Sequence, residues 1–403
     1  MNKKNIFGNY LVNVVNLVLP IATLPVLTRI LDKKSFGEYS IFLVWLVFAS
    51  VIVDFGMSSF GTREISSGVH ETSQWFWSSL LVRAFLAVVL SVIIAFGVLR
   101  PFQMNAILVM AFAIACSSYI TQIFWASNGL QNTHIITPIF LISKILSTLL
   151  SILIAFLTKD LSITLLAFSF SLLIPSTLSF YHFIKATAIK LPEKQSFGLV
   201  RKIVSLGWSI SLVNLAGILF NGSLILVTQW YFGTSEAAGI SIADRVSRAI
   251  LGLAAPFTVS MLPFVTQGFA IGRDEGVRRI VDKGKWLLTA YCFVGSLVII
   301  LARRILSIFG PQFEDYSLQL QLLTVWGFFS LTNNLIGIQY FIGSGASKTY
   351  SAIFFMSCFL LILLYTFMPK LLSLNGVVLS ILFGEASFTV FSMSWILVKW
   401  KRR

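Results

Sequence analysis

Charge is the first thing this sequence is short of. Asp, Glu, Lys and Arg fill only 11% of its 403 positions, against about 25% in soluble globular chains. That is too little to coat a water-facing surface, so a soluble globular protein is excluded. Histidine and cysteine are scarce too, with three of each. Cys116, Cys292 and Cys358 are far apart, odd in number and without metal-ligand spacing, so neither a disulfide framework nor a zinc site is expected. His70, His134 and His182 stand apart from one another near span boundaries. No G-x-x-x-x-G-K-[ST] loop, H-E-x-x-H or G-x-S-x-G occurs. No connection is long enough for a catalytic domain. The expectation is a non-enzyme without cofactor, driven by a gradient or a partner.

What is present in quantity is apolar. Hydrophobic residues make up 57% of the chain, and the mean hydropathy is +0.88. A span of about 30 Å of hydrocarbon needs roughly 20 mostly apolar residues. Apolar windows predict about twelve transmembrane helices: 10–30, 39–60, 79–98, 105–127, 135–157, 161–184, 204–230, 237–268, 285–303, 317–342, 350–369 and 375–398. The start, with Lys3 and Lys4 before an apolar run, resembles a signal peptide. The run holds Asn13, Asn16, Pro20 and Pro25 and lacks a small-x-small cleavage site, so it reads as a retained first span.

The net charge of +15 does not point to nucleic acid, because no basic helix stands outside the spans. Placing the N-terminus in the cytoplasm puts 18 of the 30 Lys and Arg residues inside, seven outside and five within spans. By the positive-inside rule both termini are then cytoplasmic. A basic connection, 185–203, contains Pro192 and divides the spans six and six. The expected organisation is an N-terminal six-helix lobe (1–184), a basic cytoplasmic linker (185–203) and a C-terminal six-helix lobe with a short basic tail (204–403). A faint repeat accompanies it: residues 31–41 and 232–242 are both short glycine-bearing connections. Pro20, Pro25, Pro175, Pro256 and Pro263 fall inside spans. Each removes a backbone hydrogen bond and bends its helix.

Ionisable residues inside spans are costly, at about 2.5–3.5 kcal/mol each on insertion scales, and are functional candidates by default. The basic ones are Arg29, Arg83, Lys144, Arg245 and Arg248; the acidic ones are Asp54, Asp244 and Glu385. Arg29 and Arg83 lie near span ends, where a snorkelling anchor is an equal reading. Asp54 can simply pair with Arg83. Lys144 is too central to snorkel easily. The sharpest pattern is Ser241, Asp244, Arg245, Arg248 and Gly252, which share one helix face. Asp244 and Arg248 can pair there, leaving Arg245 for another partner. Five cations against three anions make a net cationic interior suited to an anion, and arginine matches phosphate bidentately. Asn13, Asn16, Tyr119, Gln122, Trp125, Trp208, Asn214 and Asn221 add partners compatible with sugar.

The segments LPVLTRIL (24–31), FGEYS (36–40), DFGMSSFGTREIS (54–66) and AAGISIADRVSRAI (237–250) carry a further signal. Together with the length and the twelve expected spans, they make the chain resemble the O-antigen and polysaccharide flippases (Wzx type) of the multidrug/oligosaccharidyl-lipid/polysaccharide exporter superfamily. The resemblance implies a V-shaped, MATE-like transporter in a bacterial inner membrane. It would move an undecaprenyl-diphosphate-linked oligosaccharide, an O-antigen or capsule repeat unit, from the cytoplasmic to the periplasmic leaflet by alternating access. Arg29, Arg83, Lys144, Arg245 and Arg248 would bind the diphosphate. Asp54, Asp244 and Glu385 would serve in charge pairs or in coupling to H+ or Na+. Membrane lipids, and a polymerase and glycosyltransferases of the same pathway, are the implied partners. An ion-coupled efflux pump of the same superfamily is the alternative, although such pumps favour an acidic interior. A polytopic O-antigen polymerase or glycosyltransferase would need a large outside loop, and none is expected.

Overall fold

The computed structural model describes residues 3–67, 72–94, 106–187, 189–190, 192 and 197–401; His70, Arg100, Lys194, Arg402 and Arg403 lie outside them. Among the described residues every regular element is helical. The physical reason is the solvent: in hydrocarbon each backbone N–H and C=O must be satisfied within the segment, which a helix does alone. The helices are α1 (Lys3–Ile30), α2 (Lys33–Asp54), α3 (Thr62–Ser67), α4 (Thr72–Ile93), α5 (Ala106–Ile120), α6 (Phe124–Gly129), α7 (Thr133–Thr158), α8 (Leu161–Thr187), α9 (Phe197–Phe232), α10 (Thr234–Gly252), α11 (Ala255–Ile271), α12 (Arg273–Ser307), α13 (Ser317–Asn333) and α14 (Ser347–Lys401). A π-helical turn, Met57–Gly61, follows α2, and a longer one, Asn334–Ile342, continues α13.

Local chemistry sets several helix ends. Asp32 caps α2, its carboxylate accepting from the N–H groups of Lys34 (3.2 Å) and Ser35 (3.4 Å). The hydroxyl of Ser35, then these backbone donors, hold the Asp32 carboxyl below its usual range. At the other end of α2, Phe55 takes a left-handed conformation, φ 49°. Lys159 does the same after α7, φ 50°.

Nine helical segments of the described residues are long and apolar enough to cross a membrane, or ten if α10 and α11, bent by 41°, form one span. Two further segments expected from the sequence are merged or divided. At 55 residues α14 would extend about 80 Å, far beyond one bilayer. It breaks at Leu372 (φ −122°, ψ 15°) and Ser373 (φ 52°, ψ −139°). A Cβ on Gly376 would stand 2.0 Å from the Met368 carbonyl oxygen, which a straight helix could not bring near. The chain therefore doubles back, giving limbs 347–371 and 374–401. The expected span 317–342 is present as α13 plus its π-helical continuation.

The chain forms two compact units, Met1–Ile218 and Leu219–Arg403, so the division falls within α9, beyond the basic connection 185–203. That connection is fastened to the first unit. Ser73 Oγ and Trp77 Nε1 of α4 both donate to the Lys190 carbonyl, the indole at 3.0 Å. Ile203 is buried against the first unit's core, where Phe76 stacks on Trp125 and Phe180 with ring centres 6.1 Å apart. In the second unit Tyr340, Phe341, Phe388 and Trp395 gather around the end of α13 and the return limb of α14. Outside both cores lie bare apolar side chains such as Phe85, Leu157, Phe293 and Ile300. On a span these mark the lipid-facing side.

Gly376→Val should disrupt the reversal of α14, because the added carbons meet a backbone oxygen that cannot rotate away. The expected result is loss of monodisperse protein in detergent size-exclusion, with a stability loss of about 3 kcal/mol. Gly384→Ala meets only the side chain of Leu361 at 3.0 Å and should lose less.

Candidate functional site

The interior charges of the first unit are mostly committed to broken backbone. Arg83, on α4, is fully buried. Its guanidinium donates to the carbonyls of Gln122 (2.9 Å) and Tyr119. Those oxygens belong to the end of α5 and the break before α6, where a helix leaves its last carbonyls unsatisfied. Asp54 accepts from the Ser58 N–H (3.2 Å) and hydroxyl (2.9 Å) and so ties down the π-helical turn after α2. It is near enough to attract Arg83, but the direct pairing that the sequence left open is not made. Lys144, midway along α7, is also buried. Its ammonium donates to the Ser171 carbonyl on α8 at 3.3 Å. Arg29 is exposed near the end of α1.

One face of α1 carries asparagines at 5, 9, 13 and 16, spaced at helical repeats. Asn5 donates to the Gln131 carbonyl and accepts from the His134 N–H at 3.2 Å. Asn9 donates to the Asn128 side chain at 2.8 Å. Asn13 and Asn16 are exposed. Of the other polar and aromatic candidates, Trp125 is core and Tyr119 and Gln122 contribute carbonyls to Arg83. Trp208 and Asn214 are exposed, and the Asn221 side chain lies outside the described residues.

The second unit gathers the rest. The face of α10 expected from spacing is present, with Ser241 and Asp244 buried and Arg245 and Arg248 half-buried. Arg248 Nε reaches both carboxylate oxygens of Asp244 at 2.8 Å. Its guanidinium also lies over the Trp326 ring of α13, 4.7 Å from the centre, a cation–π contact. Glu385, on the return limb of α14, is within electrostatic reach of Arg248. It borders a cavity of about 260 Å³ with Ser330, Asn333, Asn334, Tyr350, Phe354 and Phe388. Asn333 donates to the Glu385 carbonyl at 2.7 Å and accepts from Thr389 at 2.6 Å. Asn333, Asn334, Trp326 and Tyr350 were missed as candidates. The adjacent asparagines inside an otherwise apolar run were the legible signal, since two amides in hydrocarbon require polar company.

Chemically, the α10 face offers guanidinium donors on a carboxylate-anchored frame, and the Glu385 cavity offers one carboxylate beside amides. Among the described residues no three His, Cys, Asp or Glu side chains are grouped to hold a metal ion.

Residues 3–269 match the family described as polysaccharide biosynthesis protein. The chain belongs to the polysaccharide biosynthesis protein family. It is a multi-pass membrane protein of that family. A relative from Escherichia coli (strain K12), named "Putative O-antigen transporter", is 22% identical over 411 residues, covering 98% of this chain and 96% of its own. Among solved structures, one described as lipid II flippase MurJ in an inward closed conformation superposes with a TM-score of 0.74 at 14% identity, covering 97% of this chain and 87% of its own. An inward-facing multidrug resistance MATE family transporter of the MOP superfamily gives 0.67 at 15% identity, with 96% and 98% covered. The fold is thus the MATE-like transporter fold expected from the sequence.

Asp244→Ala would leave Arg248 half-buried without its carboxylate. The expected loss of stability is about 3 kcal/mol, read as a lower melting temperature in detergent. Adding Arg248→Met to Asp244→Ala should restore part of that loss, because the stranded charge goes with it.

Proposed function

We propose that this protein is a flippase that carries an undecaprenyl-diphosphate-linked oligosaccharide, an O-antigen or capsule repeat unit, from the cytoplasmic to the periplasmic leaflet of a bacterial inner membrane. The observation that carries this reading is the Arg245–Arg248 face of α10. It puts two guanidiniums within a helix that belongs to the bent membrane-crossing pair α10–α11, on a frame held by Asp244 and Trp326. Guanidiniums in a low-dielectric setting select a multiply charged oxyanion such as diphosphate. The family and the full-length match to a protein named as an O-antigen transporter support a glycan cargo.

In this reading the headgroup enters from the cytoplasmic side and engages Arg245 and Arg248. The polyprenyl tail stays in lipid. The exposed amides of Asn13 and Asn16 supply paired donor and acceptor groups of the kind that sugar hydroxyls match. The site is then exposed to the other side by alternating access. An inside-negative potential favours outward movement of an anionic headgroup by about 2.3 kcal/mol per charge per 100 mV. Glu385, in its amide-lined cavity, is the carboxylate best placed for coupling to H+ or Na+. Both termini are assigned to the cytoplasm by the lysine and arginine distribution. Glycosyltransferases would supply the cargo, a polymerase would consume it, and the flippase itself makes or breaks no covalent bond.

Efflux of a small molecule is the second reading, favoured by the fold shared with a multidrug transporter. The two differ in a cell assay. Under the flippase reading Arg245→Ala lowers surface glycan by about tenfold or more at unchanged protein level, and lipid-linked repeat units accumulate on the cytoplasmic side. Joint replacement of Asn13 and Asn16 by alanine should reduce export several-fold. Normal surface glycan in Arg245→Ala cells would refute the assignment of the headgroup to α10. Drug sensitivity with intact glycan would favour efflux.

A further inference from the structure

Pro175 lies inside α8, in the middle of a span. In a helix the N–H of residue 175 would bond to the carbonyl of residue 171, but proline has no N–H. The Ser171 carbonyl therefore loses its intrahelical donor at a depth where no bulk water can replace it. The Ser171 hydroxyl cannot help, because it donates to the Phe168 carbonyl at 2.7 Å.

The missing donor comes from α7. Lys144 Nζ and Ser147 Oγ, one helical turn apart, both lie 3.3 Å from the Ser171 carbonyl oxygen. Both side chains are buried, Lys144 being 8% exposed. Among the described residues Lys144 has no carboxylate within ion-pair distance. A buried ammonium whose one acceptor among the described residues is the carbonyl freed by a proline across the helix interface is a poor candidate for a cargo ligand. It would have to give up that acceptor to bind anything else.

We propose that Lys144 is a positioning residue that stands in for the N–H Pro175 lacks and holds α8 at the turn where its own hydrogen bond is missing. An ammonium on a four-carbon stem has three donors that rotate. It can follow the Ser171 carbonyl as α8 flexes, whereas an N–H fixed in the helix could not. Ser147 shares the load. Lys144 thereby leaves the set of headgroup ligands, and its importance for export comes through α8.

The test is a double-mutant cycle in the full chain between Lys144→Met and Pro175→Ala, since alanine restores the N–H at 175. Lys144→Met should lower the melting temperature in detergent by roughly 4 °C or more and reduce surface glycan. Lys144→Arg, which keeps the donors, should retain most of both. In the Pro175→Ala background the Lys144→Met penalty should largely vanish, and surface glycan should recover in the double variant relative to Lys144→Met alone. The proposal is overturned if the double variant is as unstable as Lys144→Met. It is equally overturned if Lys144→Met melts like the parent, whether glycan is lost (a direct cargo role) or kept (no role). Only the glycan readout rests on the flippase reading, and Arg245→Ala tests that reading separately, so the two failures are distinguishable.

Discussion

A carbonyl without a donor is very costly in hydrocarbon, and a helix solves that problem only while it stays regular. In this chain the helices break repeatedly, at prolines, at π-helical turns and between short segments. At several of those breaks a side chain from a neighbouring helix supplies the hydrogen bond. Arg83 serves the end of α5, and Lys144 serves the turn opened by Pro175. Elsewhere side chains also reach carbonyls within regular helix: Gln339 donates to that of Thr258 in α11 at 2.8 Å, and Asn333 to that of Glu385 on the return limb of α14. The two buried cations of the first unit follow from this constraint.

It also sorts the interior charges. A guanidinium or ammonium that meets only backbone oxygens is fixed by the fold, and moving it would expose those oxygens. A guanidinium held by a carboxylate and laid over an indole, as Arg248 is, belongs to a prepared polar surface. The desolvation cost of such a pair is high, and replacement by packed apolar groups is often neutral or stabilising. Its presence on α10, beside a second arginine, is what the proposed anionic cargo rests on. Glu385 differs again: it is half-buried beside a small amide-lined cavity.

The interrupted spans have a mechanical consequence as well. Where the donor is a flexible side chain, the break is satisfied without being rigid. Such points let a membrane helix bend while its backbone polar groups stay satisfied.

The sequence by itself determined the solvent, the helical class and the nine or ten apolar spans found among the described residues, because apolar length and charge depletion are one-dimensional properties. It also placed the Asp244–Arg248 pair, since residues four apart on a helix are neighbours whatever surrounds them. It resembled the right family through short phrases such as AAGISIADRVSRAI (237–250). What only the tertiary structure decided is the duty of each remaining charge. Arg83, Lys144 and Arg245 entered as cations within expected spans, all candidates for one anionic ligand. Their separation depends on which carbonyls a distant helix leaves open: α5 at its end, α8 four residues before Pro175. The cluster of Glu385 with Asn333 likewise joins α13 to the return limb of α14, more than fifty residues apart in the chain. Side-chain periodicity reports which face of a helix a residue occupies, but the atoms opposite that face are fixed only when the helices pack.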